Sequence, residues 1–255
     1  MQKRDSRVIN IASIRVACKD CTLHELCLPA GLAGSDLDEL DKAVRRRRTL
    51  KKGDALYRFG DPLRALYAIR HGSIKTIGLM EDGRAQVTGF FLPGELLGID
   101  AINADTHPCS AEALETTEVC EIPFQSLEQL AAHIPGLQHQ LFRIMSREIV
   151  REEQMLMMLG RMTAEERLAS CLLSFLRRHN RLGKEGSELR LSMSRQDIGD
   201  YLGIALETVS RLFSRFQEEG IIEAQARQVR VLDPARLEAL AGSHEREQES
   251  RRHPA

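Results

Sequence analysis

No stretch of this chain approaches the roughly 18 consecutive apolar residues of a membrane-spanning helix, which excludes one. The apolar core of about 7–15 residues that marks a signal peptide is missing from Met1 to Val16, where Lys3, Arg4, Asp5 and Arg7 intervene. The expected location is the cytoplasm, with no membrane partner. Excess charge is absent as well: the formal net charge is −1, and Arg143 to Leu240 is close to neutral. Bulk electrostatics therefore neither favour nor exclude nucleic acid, and such a function must rest on a local motif. No P-loop, G-x-G-x-x-G or Ser/His/Asp arrangement occurs, and Glu165-Glu166 reads as a helix start. An enzyme is not expected, and no catalytic residue is assigned.

At 255 residues, 42% hydrophobic and 29% charged, the chain has the makings of a globular protein of two domains, at about 100–200 residues each. Its cysteines stand at positions 18, 21, 27, 109, 120 and 171. A disulfide framework is not expected in a reducing compartment. Cys18, Cys21 and Cys27 spell C-x2-C-x5-C, which suits a ligand cluster. Thiolates favour iron–sulfur clusters and zinc, and a four-thiolate site needs one more cysteine. Cys171 falls on the core face of a helix and reads as a buried structural thiol. Spacing does not choose between Cys109, in a loop after Pro108, and Cys120, at the end of a strand. Zinc, with His24 as a further ligand, and unligated thiols stay open on this pattern alone.

Ser35 to Arg45 has the spacing of a short helix (Leu37, Leu40, Val44) with Ser35 as its cap, and Arg45 to Arg48 reads as its solvated basic end. From Leu50 to Pro123, short apolar runs alternate with glycine turns: Ala55–Tyr57, Leu66–Ile69, Ile74–Leu79, Val87–Leu92 and Val119–Ile122. Strand-length runs at about 8–12-residue spacing predict an antiparallel barrel, roll or sandwich. A long amphipathic helix is predicted over Leu137 to Met162. Phe142, Met145, Ile149, Glu152, Leu156 and Leu159 form a coiled-coil stripe with one acid in its seam. Leu141, Ile144, Met155 and Met158 form a second stripe to pack on the parent domain; a single-domain core helix would use one broad stripe. A further helix is predicted over 163–179, and the polar tail from Gly242 is expected to be disordered.

Ser192 to Gly220 reads SMSRQDIGDYLGIALETVSRLFSRFQEEG. Ser194 is a good helix cap with Asp197 three residues on, Ile198, Tyr201 and Leu202 face a core, and Gly203 closes the first helix. The second helix buries Val209, Leu212, Phe213 and Phe216, giving a helix-turn-helix. Its exposed N-terminal residues, Glu207, Ser210 and Arg211, are suited to base edges. Ser194, Arg195, Thr208 and Arg215 are better placed for phosphate. Ile221–Glu223 and Gln228–Leu232 form a hairpin whose Arg227 and Arg230 could make a wing contact.

Together CKDCTLHELC, ALYAIRHGSIK, ETTEVCEIPF, AEERLA and ETVSRLFSRFQ resemble the fumarate–nitrate reduction regulator (FNR, also ANR) branch of the cyclic-AMP receptor superfamily, from about Cys18 to Leu240. That resemblance implies an α+β chain with a β-roll (double-stranded β-helix) sensor domain, a long dimerisation helix and a C-terminal winged helix-turn-helix. The corresponding spans are a cysteine-cluster segment (1–34), the sensor (35–134), the dimerisation helix (135–162), the DNA-binding domain (163–241) and a tail (242–255). It implies that Cys18, Cys21, Cys27 and Cys120 bind a [4Fe-4S] cluster and that Cys109 and Cys171 do not. It also implies that Glu207, Ser210 and Arg211 read a TTGAT-type half-site of double-stranded DNA, that the active form is a homodimer, and that the Glu81–Arg84 turn meets RNA polymerase. In the family, oxygen converts the cluster to a [2Fe-2S] form, the dimer separates and transcription of anaerobic genes stops.

Two features refine this expectation. No Lys or Arg occurs from Ala85 to Phe142, where nucleotide-binding members of the superfamily carry an arginine for the phosphate. A buried anion needs a charge partner, so no cyclic nucleotide is expected as effector. Secondly, Glu152 would meet its symmetry mate in the seam and oppose association of the cluster-free chain. The remaining alternatives are a zinc-binding regulator of the same fold with another signal and an electron-transfer iron–sulfur protein, which would leave the helix-turn-helix unexplained.

Overall fold

A computed structural model describes residues 18–44, 46–183 and 186–242. The polar tail, apart from Gly242, and the N-terminal residues before Cys18 lie outside the described residues. The described residues open with a short 3-10 turn, Cys18–Asp20, and a helix α1 (Gly34–Ala43). Eight strands follow: β1 (Arg46–Leu50), β2 (Ala55–Tyr57), β3 (Ala65–His71), β4 (Ile74–Leu79), β5 (Ala85–Phe91), β6 (Leu96–Leu97), β7 (Ser110–Ala113) and β8 (Thr117–Pro123). They form two antiparallel sheets, ordered β1-β8-β3-β6 and β2-β7-β4-β5.

Two expectations are corrected here. Helix α1 is capped by the backbone of Ala33, with no side-chain cap bond, so Ser35 lies inside the helix and does not cap it. The basic run is not a helix end: Arg46–Leu50 is a strand, with Arg47 opposite Cys120 and Leu50 opposite Thr117 on β8. An edge strand hydrogen-bonds on one side only, and charged side chains are a usual means of protecting the free side.

Strand β3 explains the double-layered core. Its residues alternate faces, and both faces are covered. Ala65, Tyr67 and Ile69 join Leu50, Ile74, Leu97 and Val119 between the sheets. Leu66 and Ala68 join Leu28, Leu32, Leu40, Ile122, Leu127 and Leu137 in a second core outside them. Burial on both sides is why the strand reads as a continuous apolar run.

Helix α2 (Phe124–His133) leads into α3 (Pro135–Arg161), whose 27 residues span roughly 40 Å at about 1.5 Å per residue. Ile144 is buried and Leu141 partly buried against the second core, while Met158 packs on the C-terminal core. Phe142 (59%), Ile149 (57%) and Leu156 (71%) are exposed. The two stripes separate over most of the helix: Leu141, Ile144 and Met158 pack on the chain and Phe142, Ile149 and Leu156 face outward, while Leu159, expected in the seam, is half-buried beside Gly203.

The C-terminal part contains α4 (Ala164–Asn180), β9 (Glu188–Arg190), α5 (Arg195–Leu202), α6 (Leu206–Glu218), β10 (Ile222–Gln225), β11 (Gln228–Val231) and α7 (Pro234–Leu240). Thr163 and Glu166 form a capping box at α4, and Ser194 and Asp197 form another at α5. The wing is a three-stranded sheet ordered β10-β11-β9, one strand more than the hairpin expected from sequence. Gly199 has a stricter role than its mid-helix position suggests. A Cβ there would lie 2.7 Å from the Ile204 carbonyl oxygen, so the turn can close on α5 only over a bare Cα.

This unit is docked on the β-roll. Val87, Phe90 and Leu114 belong to the same core as Leu168, Phe175, Ile198 and Phe216. The Phe90 ring meets Phe175 at 5.7 Å and Tyr201 at 5.0 Å. Polar contacts frame the seam. The Ser73 hydroxyl donates to Ser192 at 2.5 Å, Lys75 pairs with Asp197 at 2.8 Å, and Arg190 pairs with Glu115 at 3.0 Å.

Two stability outcomes follow. Phe90→Ala is expected to cost about 3–5 kcal/mol and to split urea unfolding into two steps, because it empties the contact between the two units. Gly199→Ala is expected to lower stability by about 1–3 kcal/mol, although alanine is the better helix former. Urea unfolding followed by circular dichroism checks both, and a stabilised Gly199→Ala would show that the close approach at Ile204 does not matter.

Candidate cysteine centre and nucleic-acid interface

The N-terminal cysteines are carried on a run of tight turns. Backbone hydrogen bonds join Cys21 to Cys18 (3.2 Å), His24 to Cys21 (3.1 Å) and Cys27 to Leu23 (3.0 Å). The segment is pinned by Leu28 and Leu32 in the second core. The Cys18 N–H donates to Asp41 of α1 at 2.7 Å, and the Gln140 amide of α3 donates to the Cys27 carbonyl at 3.2 Å. Cys27 and Cys120 pack against the same core, and Cys120 lies on β8 between Arg47 of β1 and Ala68 of β3.

These thiols influence one another electrostatically. Burial pushes the Cys18 thiol up to about 12, helped by its hydrogen bond to Asp41 and by Cys27 and Cys120. Cys27 is also pushed up to about 12, by burial and then by Cys120 and Cys21, against a backbone hydrogen bond from Leu28. Cys109 belongs to the core between the sheets. Its thiol donates to Asp100 at 3.2 Å, and burial followed by Asp100 pushes it up to about 12. Cys171 is buried in the C-terminal core, where burial alone pushes it up to about 12 against Arg178.

The donor set is soft, and it is spread out. Among the described residues no three His, Cys, Asp or Glu side chains converge closely enough to hold one metal ion. A mononuclear zinc site requires sulfurs about 2.3 Å from a common centre, whereas a multinuclear cluster joins thiolates that are farther apart. Cys27 and Cys120 share one core, and Cys18 and Cys21 lie on the loop that leads into it. His24, the possible zinc ligand, is paired with Glu25 at 2.5 Å.

The helix-turn-helix places Glu207, Ser210 and Arg211 on the exposed face of α6, with Thr208 half-buried between them. Ser194 is engaged in its cap: it accepts from the Asp197 N–H at 3.0 Å, and its hydroxyl donates to the Asp197 carboxylate at 2.6 Å. The Arg195 guanidinium lies over the Phe213 ring, 3.0 Å from its centroid, and burial holds it down to about 10. Arg215 is ion-paired with Glu165 and with Glu219. On the wing, Arg230 pairs with Glu188 at 2.6 Å, and Arg227 sits at the hairpin turn. Arg211 and Arg215 are both exposed on this face and Arg195 is half-buried; Arg195 and Arg215 would have to exchange partners to meet phosphate.

A charge cluster that no local sequence pattern signals lies at the junction of β-roll, α3 and α4. Burial opposes ionisation of Glu95, but Arg178 and Arg151 outweigh it and hold the carboxyl below its usual range. Glu148, beside them on α3, is raised, mainly by burial. Asp197 is lowered: burial raises it, and Lys75 and Ser194 more than compensate.

Comparison with known proteins accords with this architecture. A Crp-like helix-turn-helix domain model matches residues 166–240, and a cyclic nucleotide-binding domain model matches residues 47–133. The transcriptional activator protein Anr of Pseudomonas protegens is 50% identical over 225 residues, 88% of this chain and 92% of that one. The fumarate and nitrate reduction regulatory protein of Vibrio cholerae is 42% identical over 241 residues, 94% of this chain and 96% of that one. Among solved structures, FixK2 from Bradyrhizobium japonicum superposes with a TM-score of 0.71 at 34% identity, covering 76% of this chain and 96% of that one. The sandwich, the long helix and the helix-turn-helix are therefore those of the Crp/Fnr fold, and the chain belongs to the Anr/FNR family of transcriptional activators.

Proposed function

We propose that the protein is an oxygen-responsive regulator in which Cys18, Cys21, Cys27 and Cys120 hold a [4Fe-4S] cluster that promotes dimerisation, and hence binding to TTGAT-type palindromes, at low oxygen. One observation carries this reading. Cys27 of the N-terminal loop packs against the same core as Cys120, whereas Cys109 and Cys171 are buried in other cores. When bound, the cluster supplies an iron–sulfur group whose destruction by oxygen is the signal. The chain supplies the rest. The 18–27 loop holds the ligands near the N-terminus, Gln140 ties that loop to α3, and residues 163–241 carry the reading head.

In this reading Glu207, Ser210 and Arg211 contact bases, and Ser194, Arg195, Thr208 and Arg215 contact phosphates. Residues 135–162 form the dimer helix, through Phe142, Met145, Ile149, Glu152, Leu156 and Leu159. The exposure of Phe142, Ile149 and Leu156 supports this, since a line of large apolar side chains marks an interaction surface. Two half-sites about one helical turn apart require a two-fold dimer, so a monomer–dimer equilibrium converts cluster state into occupancy. The exposed β4–β5 tip, Glu81–Arg84, is the surface offered to RNA polymerase. A cyclic nucleotide is not the effector in this reading, because no Lys or Arg occurs from Ala85 to Phe142 to pair with its phosphate.

The test is purification without oxygen, followed by iron, sulfide and zinc analysis, the visible spectrum, and DNA binding before and after air. Iron and sulfide at about four each per chain, with DNA binding lost as the spectrum bleaches, is the expected result. Cys120→Ser should abolish iron loading, and Cys109→Ser should leave it unchanged. Stoichiometric zinc, or DNA binding indifferent to air, would sink the oxygen-sensing reading and leave a regulator of the same fold with another signal.

Glu152 is exposed within the seam stripe. Two like charges about 4 Å apart in water repel by about 1 kcal/mol, so Glu152→Ala should tighten dimerisation of the cluster-free chain about fivefold. Sedimentation velocity reads this directly, and a variant as monomeric as the parent would remove Glu152 from the account.

A further inference from the structure

The cysteine loop, the long helix and the C-terminal unit all touch one turn. Leu26, next in sequence to Cys27, lies so close to Gly94 that a Cβ on the glycine would sit 2.9 Å from the leucine Cβ. The turn is bonded to β3 on both sides: the Gly94 N–H donates to the Ile69 carbonyl at 2.8 Å, and the Ile69 N–H donates to the Glu95 carbonyl at 3.0 Å. It cannot slide freely, and its next side chain points at two other elements.

That side chain is Glu95, 20% exposed. It accepts from Arg178 of α4 at 2.8 and 2.5 Å, from Arg151 of α3 at 3.2 Å and from the Leu92 N–H at 2.9 Å. Arg178 also donates to the Phe90 carbonyl at 2.5 Å, on the strand that docks the C-terminal unit. Two guanidiniums from different elements therefore meet on one carboxylate. Without its charge they would repel each other in a partly desolvated site.

We propose that Glu95 is a positioning residue that passes the state of the cysteine loop, through the Leu26–Gly94 contact, to both the dimer helix and the DNA-binding unit. The inference rests on the oxygen-sensing reading above and gives it a route. Arg151 lies on the face of α3 opposite the Phe142–Leu156 stripe, so its movement turns the seam. Arg178 lies in the first helix of the unit that carries the helix-turn-helix, so its movement shifts the reading head. A merely structural ion pair would stabilise the junction without caring what happens at Leu26. A relay couples the two, and coupling is measurable as non-additivity.

The experiment uses the full chain purified without oxygen, as the parent, Leu26→Ala, Glu95→Gln and the double variant. Iron content, affinity for a TTGAT duplex before and after air, and hydrogen exchange across 164–180 are measured for each. Glu95→Gln is expected to keep its iron, to bind DNA about tenfold more weakly with cluster present, and to exchange faster in α4. Leu26→Ala is expected to weaken binding in the parent and to add nothing in the Glu95→Gln background. Additive effects, or a Glu95→Gln variant that binds DNA like the parent in both states, overturn the proposal. If the parent itself ignores air, the oxygen-sensing reading fails separately, and the same cycle in α4 exchange still decides the relay. Should Glu95→Gln not fold, Glu95→Asp, which keeps the charge one methylene short, replaces it in the cycle with an intermediate loss expected.

Discussion

The structure depends on one layer of apolar contacts, the core outside the β1-β8-β3-β6 sheet. There Leu28 and Leu32 from the cysteine segment meet Ile122 beside Cys120 and Leu137 at the base of α3. Each such buried side chain contributes about 1.5–3 kcal/mol, enough to hold a loop that has no sheet of its own. Without that layer the N-terminal thiols would have no fixed relation to Cys120, and α3 would have no fixed relation to either. Gln140, buried on α3 and bonded to the Cys27 carbonyl, adds direction to an otherwise non-directional contact. Any group held by the four thiols thus sits where loop, sheet and helix already converge.

The second constraint is how the reading head is attached. Phe90 inserts between Phe175 and Tyr201, while Asp197 serves two structures at once: it completes the cap of α5 and accepts from Lys75 of β4. Helix α5 therefore cannot leave the β-roll without exposing an aromatic ring and breaking a partly buried ion pair. Docking of this kind fixes the orientation of α6 through α5. It also makes that orientation sensitive to whatever moves β4, β5 or the turn that follows β5.

Much of this was legible in the sequence where local rules and tertiary demands agree. The capping box at Ser194, the closing Gly203 and the buried spacing of α6 are local signals, and the helix-turn-helix follows from them. The split of α3 into two stripes was legible too, since side chains three and four residues apart share a face. Strand β1 was not, because Arg46-Arg47-Arg48 at a sheet edge carries no apolar alternation, and charges there read equally well as a helix end. The two-residue β6 and the short β7 (Ser110–Ala113) are too brief to show a period. The cap of α1 shifted because Ala33 can take an extended backbone without offering a side chain, a choice composition does not reveal. The Glu95 junction was illegible for a different reason: its partners lie 56 and 83 residues away, and no local pattern encodes a pairing of that range.

The charge distribution bears on how a single reading head meets DNA. Arg195 lies on a phenylalanine ring and Arg215 pairs with two carboxylates, so both would exchange partners on meeting phosphate. Affinity for nucleic acid is dominated by phosphate neutralisation. Each such exchange offsets part of the gain from neutralising a phosphate, which lowers the affinity of a single head. In the proposed dimer, coupling two such heads along α3 would multiply sequence-dependent contacts. The exposed stripe of Phe142, Ile149 and Leu156 leaves a line of large apolar side chains on α3 uncovered in the single chain, the mark of an interaction surface.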